Sequence, residues 1–180
     1  GYWNHYTIIL GLSIAASSFF GLLGYFMIAR FDSSPLFVSI AFSAQAGTSV
    51  IVQFFLMNKI YNLWDDEKIC RIGLIIVALG YCFISFSPGV WIVIVGCTLT
   101  GFGQALVRPT TTAMLSKQNE MGQGITMGLQ HAMDSLGRII GPLWGGWIFT
   151  LMIAGPFITS AVITVLLLGV TFIVTSKRFH

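Results

Sequence analysis

His131, Asp134 and Arg138 follow one another at three- and four-residue spacings inside an otherwise apolar stretch, and Arg108 stands in a second such stretch four residues after Gln104. At helical periodicity 131, 134 and 138 share one face. An acid placed four residues before a base forms an intrahelical ion pair. Removed from water, a carboxyl's proton affinity is pulled up by desolvation and down by a neighbouring cation, so Asp134 is a candidate for coupling as well as for simple pairing. His131 is a further candidate for coupling, although a lone intramembrane histidine reads first as a hydrogen-bonded packing residue. Arg108 offers a planar guanidinium fork suited to a carboxylate. By helical rise Arg108 lies about 12 Å and Asp134 about 18 Å along their helices from one end. If Asp134 serves Arg108, Arg138 is expected to lose its partner. Either way one positive charge is left over, which calls for an acid from elsewhere or an anionic or zwitterionic substrate group.

Other chemistry is missing from the pattern. No HExxH, Ser-His-Asp or paired-carboxylate constellation suggests an enzyme, and no GxxxxGK[ST] loop offers an ATP site. Cys70, Cys82 and Cys97 lack ligand spacing, so no metal or other cofactor is expected. The pair Gly101 and Gly103 lies in an apolar span and reads as packing.

Around and beyond Arg138 the chain reads Gly137-Arg-Ile-Ile-Gly141-Pro142-Leu-Trp-Gly145-Gly146, or GxxxGPxxGG. Glycines four apart let a neighbouring backbone approach closely. Pro142 removes one backbone hydrogen bond, which predicts a bend. These five positions are the candidates for helix packing and gating.

The elements that must hold these groups follow from composition. Of 180 residues, 56% are hydrophobic and 8% charged, against about 25% charged in soluble proteins. Charge-free runs occupy 1–29, 33–58, 72–107 and 139–176, and a spanning helix needs roughly 20 apolar residues. Turn signals at 32–35, 62–68, 87–89, 117–120 and 154–156 divide the chain into six spans, at about 6–29, 36–60, 69–86, 89–116, 122–151 and 156–175. The fold class is therefore an all-α integral membrane bundle in a lipid bilayer. Lys59, Lys68, Arg71, Lys117, Lys177 and Arg178 fall at one end and only Arg30 at the other. The positive-inside rule makes the first end cytoplasmic, with both termini on that side. The net charge of +3 sits at helix ends, so no nucleic-acid partner is expected. Gly1 opens a chain with no basic leader and no initiator Met, which reads as a boundary within a longer polypeptide.

Polarity is unevenly spread around the helices. The fifth span gathers Gln123, Gln130, His131, Asp134, Arg138 and the glycines on one face; the fourth gathers Gln104, Arg108, Thr111 and Thr112. The first carries Ser13 and Ser17, and the second Gln45, Thr48, Ser49 and Gln53. Polar stripes must face protein or a wet cavity. The first, second, fourth and fifth spans are therefore expected to surround something, and the third and sixth to face lipid. That order is what two three-helix repeats produce.

With six spans in this polarity order, Gly101-Phe-Gly-Gln-Ala-Leu-Val-Arg108-Pro109 and the GxxxGPxxGG of the fifth span, the chain resembles one half of a major facilitator superfamily transporter, specifically the C-terminal half of a bacterial drug:proton antiporter. The loop from Met57 to Lys68 matches the charged motif of N-terminal halves poorly, which favours the C-terminal assignment. The resemblance implies a proton-coupled exporter of small molecules in a bacterial plasma membrane. It also implies a second six-helix half, in the same polypeptide or as a dimer mate. A self-contained six-span scaffold or assembly protein is the rival; it explains the hydrophobicity but not four polar stripes.

Overall fold

In the computed structural model the chain is described over residues 2–117 and 122–176. Its elements are α1 (Tyr2–Phe31), α2 (Pro35–Ile51), a π-helical turn (Val52–Leu56), α3 (Met57–Leu63), α4 (Asp66–Ser85), α5 (Val90–Lys117), α6 (Gln123–Leu151) and α7 (Gly155–Ser176). The segments α2, π turn and α3 run on as one helix, Pro35–Leu63, so the spans in order are α1, α2 to α3, α4, α5, α6 and α7. Five of the six are long and apolar enough to cross a bilayer. The remaining one, α6, has 29 residues, ample for a crossing, but its apolar content is diluted by the polar and ionisable side chains of the candidate site. The expected breaker at 118–120 and the cations Lys177 and Arg178 lie outside the described residues.

Local chemistry sets the boundaries. Asp32 takes the left-handed region, at φ 49°, which Asp tolerates better than most residues. Its amide bonds back to Ile28 O at 3.0 Å while Ser33 N reaches Met27 O at 3.5 Å, the paired closure that satisfies a helix C-terminus. Pro35 then opens α2 at a position needing no amide donor. Asp66 and Glu67 lie in the first turn of α4, where negative charge complements the helix dipole.

Packing follows a rule of exchange. The close crossings are first with fifth span, fourth with second, third with fourth, sixth with first, and third with sixth. Swapping first for fourth, second for fifth and third for sixth leaves that set unchanged, the arrangement expected of two three-helix repeats. At the centre Phe19 meets Tyr81 and Phe157, with ring centroids 6.0 and 6.3 Å apart.

The tightest crossing was not foreseen. A Cβ on Gly80 would lie 2.9 Å from Gly96 O, and one on Gly96 2.9 Å from Gly80 O. Gly73 and Gly103 repeat this two turns away, at 3.0 and 2.6 Å. Antiparallel α4 and α5 thus touch backbone to backbone. The third and sixth spans, expected to face lipid, are thus also packed closely against the rest of the bundle. Both α4 and α7 are wedged between neighbours, and only one side of each, such as Leu79 and Leu166, is open. The least enclosed helices are the second and fifth spans, with four buried residues each. The third span lacks a polar stripe because its protein-facing side is built of glycine and aliphatic residues, which polarity alone does not distinguish from a lipid face.

The helix ends sort into two groups. Lys117 reaches Asp66 at 2.5 Å, and Arg71 lies over Phe172 at 4.5 Å, joining the ends of α4, α5 and α7. At the other end Arg30 donates to Ser85 O at 3.2 Å.

Candidate functional site

The crossing of α1, α5 and α6 brings together Ser13, Arg108, Asp134 and Arg138. Asp134 is the hub. Its Oδ2 takes Arg138 at 2.7 Å from one turn along the same helix, and its Oδ1 takes Arg108 at 3.3 Å from α5. Ser13 Oγ on α1 donates a short hydrogen bond to the same Oδ1. The expectation that Asp134 must choose between the two arginines is corrected: a carboxylate has two oxygens and about four lone-pair positions, and the helices are close enough to use both. Three charged groups bear a net +1, as the sequence count required.

The carboxylate is sunk and the cations are not. The side chain of Asp134 is 16% exposed, Arg108 40% and Arg138 67%. Each guanidinium keeps donors that Asp134 does not occupy. Of the remaining candidates, Gln104 is buried with its amide 3.5 Å from the Tyr81 hydroxyl, and His131 is exposed on α6. Among the described residues no group of three or more His, Cys, Asp or Glu side chains is placed to hold a metal ion.

Two cavities adjoin this cluster. The smaller, about 260 Å³, is lined by Ile8, Ile9 and Leu12 as well as by Ser13, Thr112, Gln130, His131, Asp134 and both arginines. The larger, about 620 Å³, is lined by Ala16, Phe20, Gly21, Gln104 and Pro142, again with both arginines. Arg108 and Arg138 therefore line both cavities. Of the aromatic side chains on α1, Phe20 lines the larger cavity and is stacked on Phe42 at 5.9 Å. Phe19 is core, while Tyr25, Trp144 and Trp147 are exposed on the outside.

The glycine series positions the hub. A Cβ on Gly137 would lie 3.0 Å from Leu10 O, and one on Gly141 2.6 Å from Ile14 O. On Gly145 it would meet the hydroxyl of Ser18. The seam is thus internal, between the fifth span and the chain's own first span, and this contact is what carries Ser13 to Asp134. Gly146 takes no part: a Cβ there would find nothing within 4 Å. Pro142 sits inside an uninterrupted α6, facing Gly21 of α1.

Two contributors escaped the sequence reading. Tyr81, on the supposedly lipid-facing third span, is fully buried beside Gln104. The α4/α5 glycine contact places Arg108; its signal was present as two pairs seven residues apart, 73 with 80 and 96 with 103.

Comparison with known proteins agrees with this architecture. The chain is 26% identical over 98% of its length to Multidrug resistance protein 2 of Bacillus subtilis, covering 44% of that protein. It is 27% identical over 89% of its length to Multidrug resistance protein 1 of the same organism, covering 41%. To Quinolone resistance protein NorA of Staphylococcus aureus it is 25% identical over 95%, covering 44%. The chain spans less than half the length of these relatives. The match to the Major Facilitator Superfamily runs over residues 6–180, and with a helical bundle of this design the chain belongs to that family of membrane transporters.

Proposed function

We propose that this chain is the C-terminal six-helix half of a secondary transporter that exports small molecules in exchange for protons across a bacterial plasma membrane. The observation that carries this reading is Asp134, a sunken carboxylate bonded to groups from α1, α5 and α6 at once. A proton arriving at Asp134 weakens the ties to Arg108 and Arg138, and with them the attachment of α5 to α6. Alternating access needs such a junction between helices that line a cavity and helices at its flank. The multidrug and quinolone resistance names of the relatives support export of drug-like compounds. Their greater length supports a second half in the same polypeptide rather than a dimer mate. The clustering of Lys59, Lys68, Arg71 and Lys117 at one end supports cytoplasmic termini.

The full polypeptide carrying this chain, in proteoliposomes with an imposed pH gradient, is expected to move a fluorescent drug against its own gradient. Asp134→Asn is expected to abolish gradient-driven movement while leaving drug binding measurable. Undiminished gradient-driven movement in Asp134→Asn would remove Asp134 from the coupling step.

A further inference from the structure

Some helices of the bundle meet backbone to backbone, and others only through their side chains. A Cβ on Gly137 or Gly141 of α6 would strike the α1 backbone, at Leu10 O and Ile14 O. Gly80 and Gly96, with Gly73 and Gly103, hold α4 to α5 in the same way. A Cβ on Gly101 of α5 would strike Gln45 O of α2, and there Ser49 donates to Gly101 O at 2.9 Å. Among the described residues no glycine brings α5 against α1 or α6 like this. The bundle thus holds two close-packed units, α1 with α6 and α5 with α4 and α2. Helix α7 packs on both.

The two units are tied differently at their two ends. At one end Arg30 of α1 donates to Ser85 O of α4 at 3.2 Å. Phe19 of α1 meets Phe42 of α2 and Tyr81 of α4, with ring centroids 6.2 and 6.0 Å apart. Towards the end bearing Lys117, side chains hold the seam between α5 and α6. Arg108 reaches Asp134 at 3.3 Å, and Gln130 reaches Thr112 at 2.7 Å. A small apolar cluster, separate from the main core, adds Leu115 of α5 packed with Tyr6 and Ile9 of α1 and Leu129 and Met133 of α6. The smaller cavity lies along this seam, with residues of α1, α5 and α6 around it.

We propose that a proton arriving at Asp134 parts the two units along the α5/α6 seam at the Lys117 end, with the Phe19 and Arg30 contacts as pivot. This rests on the proton-coupled transporter reading above and adds to it the part that moves. The groups facing Asp134 are Ser13 from α1, Arg108 from α5, and His131 and Arg138 from α6. Helix α7 carries no titratable side chain over Gly155–Ser176. Once the carboxylate is neutralised, the net charge of Arg108, Arg138 and Asp134 rises from +1 to +2. Two guanidinium groups that shared one counter-charge then repel across the seam. Helix α1 brings no charge to the cluster, and the Ser13 hydroxyl can accept from a protonated carboxyl as well as donate to a charged one. So α6 stays on α1 while α5 is pushed away, drawing Leu115 out of its cluster and carrying α4 and α2. The connection from Lys117 to Gln123 can reach about 20 Å, while packed helix axes lie about 8–10 Å apart, so the chain leaves room for this.

Double electron–electron resonance on the full polypeptide in phosphatidylcholine proteoliposomes reads the motion. Spin labels on genetically encoded keto residues leave Cys70, Cys82 and Cys97 in place. Three pairs separate the elements: Ser116 with Gly128 across the seam, Thr7 with Gly128 inside the α1/α6 unit, and Ser116 with Lys68 inside the α5/α4 unit. From alkaline to acid buffer the Ser116–Gly128 distance should lengthen by about 4 Å or more, the range over which apolar side chains stay in contact. The other two distances should stay fixed, which also reports that each variant is folded. Asp134→Asn should show the long distance in both buffers. Arg138→Gln should shorten the acid displacement, because one repelling partner is gone. Leu115→Ala should populate the long distance already in alkaline buffer, and His131→Gln should leave the acid response intact.

A Ser116–Gly128 distance that changes neither in acid nor in Asp134→Asn would overturn the inference, and so would equal lengthening of Thr7–Gly128. Loss of the response in His131→Gln would assign the proton to His131 and overturn it too. Proton-driven transport with all three distances fixed would leave the transporter reading standing and remove the moving seam. Opening that depends on Asp134, with no gradient-driven movement of any compound, would instead defeat the transporter reading and leave the seam standing.

Discussion

At the scale of single residues, Asp134 is the group on which most else depends. Two guanidinium groups and a hydroxyl converge on one carboxylate, so the charge and not merely the shape of the side chain is in use. Breaking a fully buried ion pair costs about 3–5 kcal/mol. Because both arginines are partly open, we expect Asp134→Asn to cost about 1–3 kcal/mol, measured as a lowered unfolding midpoint. In the double variant Asp134→Asn with Arg108→Gln the loss should be smaller than the sum of the singles, because the second change removes a cation the first had stranded. Strict additivity in that cycle would mean the 3.3 Å contact with Arg108 carries no energy. The charge count behind this was legible in the sequence, and so was the pairing within α6, which follows from spacing alone. The role of Ser13 and the double engagement of Asp134 were not, since both depend on how far apart α1, α5 and α6 lie, and spacing along a chain is silent on that distance.

At the scale of elements, small residues set the crossings, and their substitutions should sort by what a side chain would meet. Gly141→Leu drives a side chain into the α1 backbone at Ile14. We expect normal membrane insertion, a lowered unfolding midpoint and loss of transport, with a cost at or above the about 1–3 kcal/mol typical of overpacking. Gly146→Ala, five residues on and facing open space, should leave the unfolding midpoint unchanged. Gly80→Ala should be worse than its size suggests, because its Cβ would press on the carbonyl of Gly96. If all three unfold alike, the seams are incidental. Span limits were readable because charge and turn residues punctuate apolar runs, as at Asp32 to Pro35. The π turn at Val52–Leu56 was not, since a shift in hydrogen-bond register leaves composition untouched. The glycine face of α4 was passed over because glycine and lipid-facing aliphatics are equally apolar.

At the scale of the molecule, the uncovered surface belongs mainly to two spans. Phe54 and Phe55 on the second span and Leu143 and Trp147 on the fifth are more than half exposed. In the proposed complete transporter these two spans meet the other half. Cysteines introduced at Phe55 and Leu143 should react slowly with a membrane-permeant maleimide in the full polypeptide and quickly in the isolated six-span chain. Those at Leu79 and Leu166, on the outward sides of α4 and α7, should react alike in both. The six-span chain reconstituted alone should not transport. Transport by a monomeric six-span chain would show that no second half is required.

The bond from Ser13 to Asp134 joins positions 121 residues apart, and that separation has a consequence in time. A ribosome adding about 5–20 residues per second needs roughly 6–24 s to go from one to the other. The α4/α5 hairpin can close as soon as it is made. Throughout that interval the serine ridge of α1 waits in the membrane without the glycine groove it fits. Assembly of the site is thus deferred until α6 is inserted, and chains halted before Gln123 should be held by membrane chaperones or degraded rather than accumulate as a partial bundle.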